Sequence, residues 1–183
     1  MASRGEVTAL DYTATLAGWA EQFSDLPGFV YLDSGTSGDG AELEVVTALP
    51  TVIHRLQDYS ANLDDWMTAL EADLRTACAR SAIVGTSACF TGCVAIGSLD
   101  YDAPAGSLRA QDEPKSRTMA GIYHWLLVTH RGSQTTELLI HPDCPMVTRK
   151  RVTALIETKQ AVVAESFHLA EHFCSAISKH QYQ

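Results

Sequence analysis

Two apolar runs separated by a short polar turn limit what this chain can become. Gly121–His130 reads GIYHWLLVTH, Thr135–His141 reads TTELLIH, and RGSQ lies between them. Both runs are rich in β-branched, aromatic and leucine side chains, and the residues between them form turns readily. The pair predicts two antiparallel strands joined at Arg131–Gln134. A second pair precedes it. Phe29–Asp33, FVYLD, and Glu42–Leu49, ELEVVTAL, flank the turn SGTSGDG at residues 34–40, which predicts a hairpin with a long tip. Thr51–Leu56 is expected to continue the same sheet.

Helical periodicity occurs in three places. Residues 11–23, DYTATLAGWAEQF, put Leu16, Trp19, Ala20 and Phe23 on one face, and Pro27-Gly28 then break the pattern. Asn62–Arg80 is the clearest helix. Asn62 can cap it, Asp64 and Asp65 sit at the positive end of its dipole, and Leu63, Trp66, Met67, Leu70, Leu74 and Ala77 form the stripe expected to be buried. Thr148–Thr158 predicts a short basic helix. Between these elements, Ser87–Asp102 is a run of small residues and glycines. It suits a central strand whose neighbour or ligand approaches closely. Ala103–Arg117 reads as a surface loop, and residues 165–176 read as extended. The order of elements predicts an α+β fold: a mostly antiparallel, sandwich-like sheet with packed helices.

Composition excludes several function classes. The chain has 183 residues, 13 Lys+Arg against 22 Asp+Glu, and a formal net charge of −9. That balance argues against a nucleic-acid or anionic-membrane binder, which needs clustered cations. No window approaches a membrane-spanning apolar stretch, and residues 1–10 lack the apolar core of a secretory signal. Cys78, Cys89, Cys93, Cys144 and Cys174 are odd in number and form no disulfide framework. The expectation is a cytoplasmic protein with free thiols. Cys89 and Cys93 are close in sequence, but no second ligand pair matches their spacing, so no metal site is assigned.

Several motifs weaken on inspection. Gly35–Gly40 invites a phosphate-loop reading, but a strand follows it and no lysine does, so it reads as a hairpin tip. His168-Leu-Ala-Glu171-His172 matches the H-x-x-E-H zinc-peptidase pattern. Its flanks are poorly amphipathic and no third ligand is near, so a zinc hydrolase remains a distant alternative. His54 and His124 alternate with apolar residues and can face core or solvent. Ser34, His124 and Asp102 lack the G-x-S-x-G elbow that would present the serine as a nucleophile. Ser34, at the end of a strand beside an open turn, is either a ligand contact or a turn cap.

Three segments together resemble the family of chorismate-utilising synthases. Residues 26–34, LPGFVYLDS, resemble its first strand. Residues 89–102, CFTGCVAIGSLDYD, resemble its glycine-rich strand, with Asp100 where the family has glycine. Residues 119–141, with Gly121-Ile122-Tyr123 and Trp125, resemble the hairpin of the branch that contains aminodeoxychorismate (para-aminobenzoate) synthase component I. Residues 167–183 resemble the linker into the chorismate-binding domain. The resemblance covers nearly the whole chain and implies an N-terminal domain over 1–164, with 165–183 as linker and start of the chorismate-binding domain.

The resemblance also implies the function. The catalytic residues, including those that bind Mg²⁺, lie in the chorismate-binding domain, so this stretch carries no catalytic residue and no cofactor of its own. Its implied partners are the chorismate-binding domain and a glutamine amidotransferase subunit, with an amino-acid ligand as a further option. The family's tryptophan pocket uses the serine matching Ser34 and a Tyr-Ser-Arg-Phe run that aligns with Gly40-Ala41-Glu42-Leu43. Ser34 and Leu43 are therefore the candidate ligand residues. Glu42 stands where the arginine would attract a carboxylate, so tryptophan binding is expected to be weak or absent. An exposed apolar patch is expected around Gly92–Leu99 or the C-terminal tail. A stand-alone small-molecule-binding or regulatory protein built on this domain is the alternative.

Overall fold

A computed structural model of the chain describes residues 5–35, 42–59, 62–79, 92–99 and 118–160. The elements are β1 (Glu6–Leu10), α1 (Ala17–Phe23), β2 (Val30–Asp33), β3 (Leu43–Thr47), β4 (Val52–Arg55), α2 (Leu63–Ala79), β5 (Val94–Ser98), β6 (Met119–Tyr123), β7 (Trp125–His130), β8 (Thr135–Ile140) and α3 (Met146–Gln160). A 3-10 turn at Leu56–Tyr59 links β4 to α2. The fold is α+β, and every strand pair among the described residues is antiparallel.

The strands form two sheets rather than one. The first has the order β1-β8-β7-β3-β2 and the second the order β4-β6-β5. Both expected hairpins are present, with Val30 opposite Thr47 in one and Leu127 opposite Leu138 in the other. The tight turn after β7 is closed by Gln134 at a positive φ of 52°.

Three expectations are corrected by this partition. Thr51–Leu56 does not continue the first sheet: its β4 pairs only with β6. The run GIYHWLLVTH is two strands, broken at His124, with β6 in the second sheet and β7 in the first. The strand in Ser87–Asp102 is described at Val94–Ser98 and is an edge strand, not a central one. Its small residues do serve close approach. A Cβ on Gly97 would collide with the Met119 carbonyl and would lie 2.7 Å from Ala120 Cβ on the adjacent strand.

One face of the first sheet carries the largest core. Val46, Trp125, Leu127, Leu138 and Ile140 project onto Leu16, Trp19 and Phe23 of the α1 region and onto Val152 and Ile156 of α3. The Phe23 and Trp125 rings lie 5.2 Å apart, centroid to centroid. Gln22 Nε2–H donates to the Leu155 carbonyl at 2.7 Å and ties α1 to α3. The opposite face buries Val45, Leu126, Val128 and Leu139, with Val94 of β5 packed against them. Alternation along each strand assigns these residues to their faces.

Two helical expectations also change. The first helix begins at Ala17, not near residue 11. The residues before it are drawn to the sheet instead: Thr13 N–H donates to Thr136 Oγ1 at 3.1 Å, and Leu16 N–H donates to Glu44 Oε2 at 2.5 Å. The stripe of α2 is buried fully only at Trp66, whereas Leu63 is 48% and Met67 49% exposed. The small core beneath α2, Leu56, Trp66 and Ala120 flanked by Tyr59 and Leu70, covers only part of its apolar face. β1 was not anticipated. It is a five-residue edge strand on β8, and its pairing is set by contacts far away in sequence.

Candidate functional site

Two polar clusters stand out in this framework. The first closes the end of the first sheet where β2, β3 and the β7–β8 turn meet. Glu44 alternates with Val46 along β3 and so points into the α1-facing core, where it is fully buried. Four donors meet its carboxylate. Leu16 N–H, Tyr31 O–H at 2.8 Å and Thr15 Oγ1 at 3.1 Å reach Oε2, and the Arg131 guanidinium reaches Oε1. Arg131 also donates to Asp33 Oδ1 at 3.0 Å, to the Gly35 carbonyl at 2.8 Å and to the Ala14 carbonyl at 3.2 Å. Burial opposes the Arg131 charge, but the bonds to Asp33 and Glu44 outweigh it and raise its pKa. Burial, reinforced by Glu44, pushes the Tyr31 phenol up to about 12 and keeps it a donor.

The candidate ligand residues lie at this end. Ser34 and Leu43 are brought together as neighbours on paired strands. Ser34 N–H donates to the Leu43 carbonyl at 3.0 Å, and Leu43 N–H donates to Ser34 Oγ at 2.9 Å. Ser34 thus caps the mouth of the β2–β3 hairpin. Glu42 turns toward the next loop, with its carboxylate 3.7 Å from His130 Nδ1. Gly40 and Ala41 lie outside the described residues, as do most of the hairpin tip, Cys89, Cys174, Asp102 and the whole of His168–His172. The proposed boundary between residues 164 and 165 also lies there.

The second cluster sits where the chain passes between the sheets. Each prominent residue of the Gly121–Trp125 run takes part. Tyr123 O–H donates to the Gly28 carbonyl at 2.9 Å, and Trp125 Nε1–H donates to the Ala48 carbonyl at 2.7 Å. Gly121 leaves room for Pro50, whose Cβ would lie 2.9 Å from an added Cβ. Gly28 has a positive φ of 65° and also packs on Pro50. Pro50 is thus clasped by two glycines at the crossing from β3 to β4.

His124 forms the bend and stacks on His141 at 4.8 Å, with an interplanar angle of 18°. Asp143 N–H donates to His141 Nδ1 at 3.1 Å, so Nδ1 is the acceptor. Nε2 then carries the proton and donates to the Ala77 carbonyl of α2 at 3.1 Å. His124 Nδ1 shares a hydrogen bond with Thr51 Oγ1 at 2.9 Å, and its buried Nε2 has no partner among the described residues. Burial lowers the His124 pKa, His141 lowers it further, and Asp143 opposes them. His54 also faces inward. It bonds Tyr59 O–H at 2.6 Å and lies 3.1 Å from Asp73 Oδ2, holding α2 to β4.

The Glu44 carboxylate is met by four donors, whereas the second cluster keeps one buried imidazole nitrogen, His124 Nε2, without a hydrogen-bond partner among the described residues. Among the described residues, no three His, Cys, Asp or Glu side chains are grouped to hold a metal ion, and no helix is long and apolar enough to cross a membrane. Sequence reasoning missed Glu44 and Arg131. The signal was there in part: ELEVV places a carboxylate on the face shared with Val46, and a buried carboxylate demands a cation. No protein-family model matches the chain, and no curated protein matches it.

Proposed function

We propose that the chain is a non-catalytic scaffolding domain of an aminodeoxychorismate synthase component I. The whole enzyme would convert chorismate and glutamine-derived ammonia to 4-amino-4-deoxychorismate for folate biosynthesis, in the cytoplasm. The observation that carries this reading is the seam between the sheets. Gly121, Tyr123 and Trp125, which carry the resemblance, each fasten that crossing. A motif retained for architecture suits a domain whose chemistry lies in its partner. Mg²⁺ belongs to that partner, the chorismate-binding domain, and the amidotransferase subunit docks on the assembled enzyme.

The uncovered apolar face of α2 supports the same reading. Leu63 and Met67 are exposed, and a shallow groove of about 660 Å³ runs beside them, lined by Leu70, Leu74 and Ala95. Leu99, Ile53 and Met119 are also exposed on or beside the second sheet. We assign the α2 face to the chorismate-binding domain.

Sedimentation of the purified chain mixed with an isolated chorismate-binding domain of such an enzyme tests the assignment. A complex is expected, and the double variant Leu63→Ser/Met67→Ser should weaken it by about tenfold or more while the fold is retained. Absence of any complex, or equal binding by the variant, counts against the assignment. Titration with tryptophan should show weak or no binding, because Arg131 is already committed to Glu44 and Asp33. Sub-micromolar affinity would overturn the reading of the Ser34 end as a cap.

A further inference from the structure

Two cysteines meet beside the seam. Cys78 lies in the last turn of α2 and is half-buried, and Cys93 immediately precedes β5 and is buried. The helix and the strand pack on each other, and the two thiols are hydrogen-bond partners. The end of α2 is held in place by the bond from His141 Nε2–H to the Ala77 carbonyl, one residue before Cys78. Cys144, the third described cysteine, turns its thiol toward the Pro145 carbonyl at 3.9 Å. The contact therefore joins the last turn of α2 to the start of β5, and Cys78 is the less buried residue of the two.

We propose that Cys78 and Cys93 form a reversible disulfide that fastens α2 to β5 when the chain meets a small disulfide oxidant such as glutathione disulfide. The half-buried Cys78 is the sulfur the oxidant reaches. Its thiolate attacks one glutathione sulfur, forming a Cys78–glutathione mixed disulfide and releasing one glutathione thiolate. The Cys93 thiolate then attacks the Cys78 sulfur and releases the second. The protein loses two electrons and two protons, and one glutathione disulfide becomes two glutathiones.

Burial, reinforced by Cys78 and Asp143, pushes the Cys93 thiol up to about 12. Its thiolate fraction, and with it the rate of closure, rises about tenfold per pH unit below that value.

The test uses the full chain, reduced and then incubated with glutathione disulfide at mildly alkaline pH. Non-reducing peptide mapping is expected to link Cys78 to Cys93, with an intact mass two hydrogens below that of the reduced chain. The melting temperature should rise by about 5 °C and return on reduction, because the bond restricts the unfolded chain. Cys93→Ser should stall with glutathione on Cys78, and Cys78→Ser should acquire neither bond. A chain that stays reduced, one that stops at the mixed disulfide, or a link from either cysteine to Cys89, Cys144 or Cys174 overturns the proposal. The mapping is read on the unsubstituted chain, so a serine variant that fails to fold does not decide the outcome.

Discussion

The two sheets solve the same packing problem with very different resources. In the five-stranded sheet, β8, β7 and β3 each have two strand neighbours, and both faces carry buried clusters. The buried charge at its end is met by four separate donors. In the three-stranded sheet only β6 has two neighbours, and the core beneath α2 is Leu56, Trp66 and Ala120. Apolar burial is the dominant favourable term in folding and scales with the area removed from water. Among the described residues the first sheet therefore buries the larger apolar core, and the second is expected to open at lower cost.

Tryptophan truncation gives the largest break. Trp125 is fully buried, packs on Phe23 and donates to the Ala48 carbonyl. Trp125→Ala should cost about 4 kcal/mol and unfold the chain as a unit. Trp66, buried in the smaller cluster, also donates, to the His54 carbonyl at 3.1 Å. Trp66→Ala should cost about 3 kcal/mol, at the low end for a buried tryptophan, because α2 can detach while the first sheet survives. Hydrogen exchange distinguishes the two: in the Trp66 variant, amides of α2 should lose protection while those of β7 and β8 keep theirs. Equal loss in both sheets would erase the contrast.

Removing the cation at the end of the first sheet comes next. Arg131→Met leaves Glu44 buried with its ionic partner gone, which should cost about 3 kcal/mol. Adding Glu44→Leu should recover much of that loss, because the penalty lies in the unpaired charge rather than in a missing attraction. A double variant no more stable than Arg131→Met would show that the other donors to Glu44 already compensate its charge. Chemical denaturation of the two variants measures both values.

The contrast between the sheets also separates what was legible in the sequence from what was not. Hairpin β2–β3, hairpin β7–β8, α2 and α3 depend on periodicity and turn chemistry within short windows, so their existence and type could be read. The division into two sheets could not. The chain crosses between the sheets at Pro50 and again at His124, which interrupts an otherwise continuous β-run and sends its halves to different sheets. Nor could the exposure of Leu63 and Met67, since a helical stripe shows which face is apolar but not how much of it is covered. Ser34 was left open between ligand contact and cap, and the structure supplies its Leu43 partner. Glu44 and Arg131 are 87 positions apart, so their pairing belongs to the tertiary fold.

Acidification should produce the smallest effect, and it acts where the two sheets join. Burial and the neighbouring His141 lower the His124 pKa from its usual 6.5, with Asp143 opposing them. Between the folded and unfolded pKa values the unfolded chain binds a proton that the folded chain does not. Stability is therefore complete above about pH 6.5 and falls as the pH drops below it. One such group contributes at most about 0.8 kcal/mol between pH 7.5 and 6.0, far less than either tryptophan. Below pH 6.5 the melting temperature should fall less steeply in His124→Asn than in the unsubstituted chain. The stacked imidazoles tie the bend between β6 and β7 to the end of β8, and His141 in turn holds α2. Protonation should thus appear first as faster exchange in α2 and β6, before β7 and β8 respond. Parallel slopes in the two proteins would remove His124 from the junction's energetics and leave the difference between the sheets to apolar burial alone.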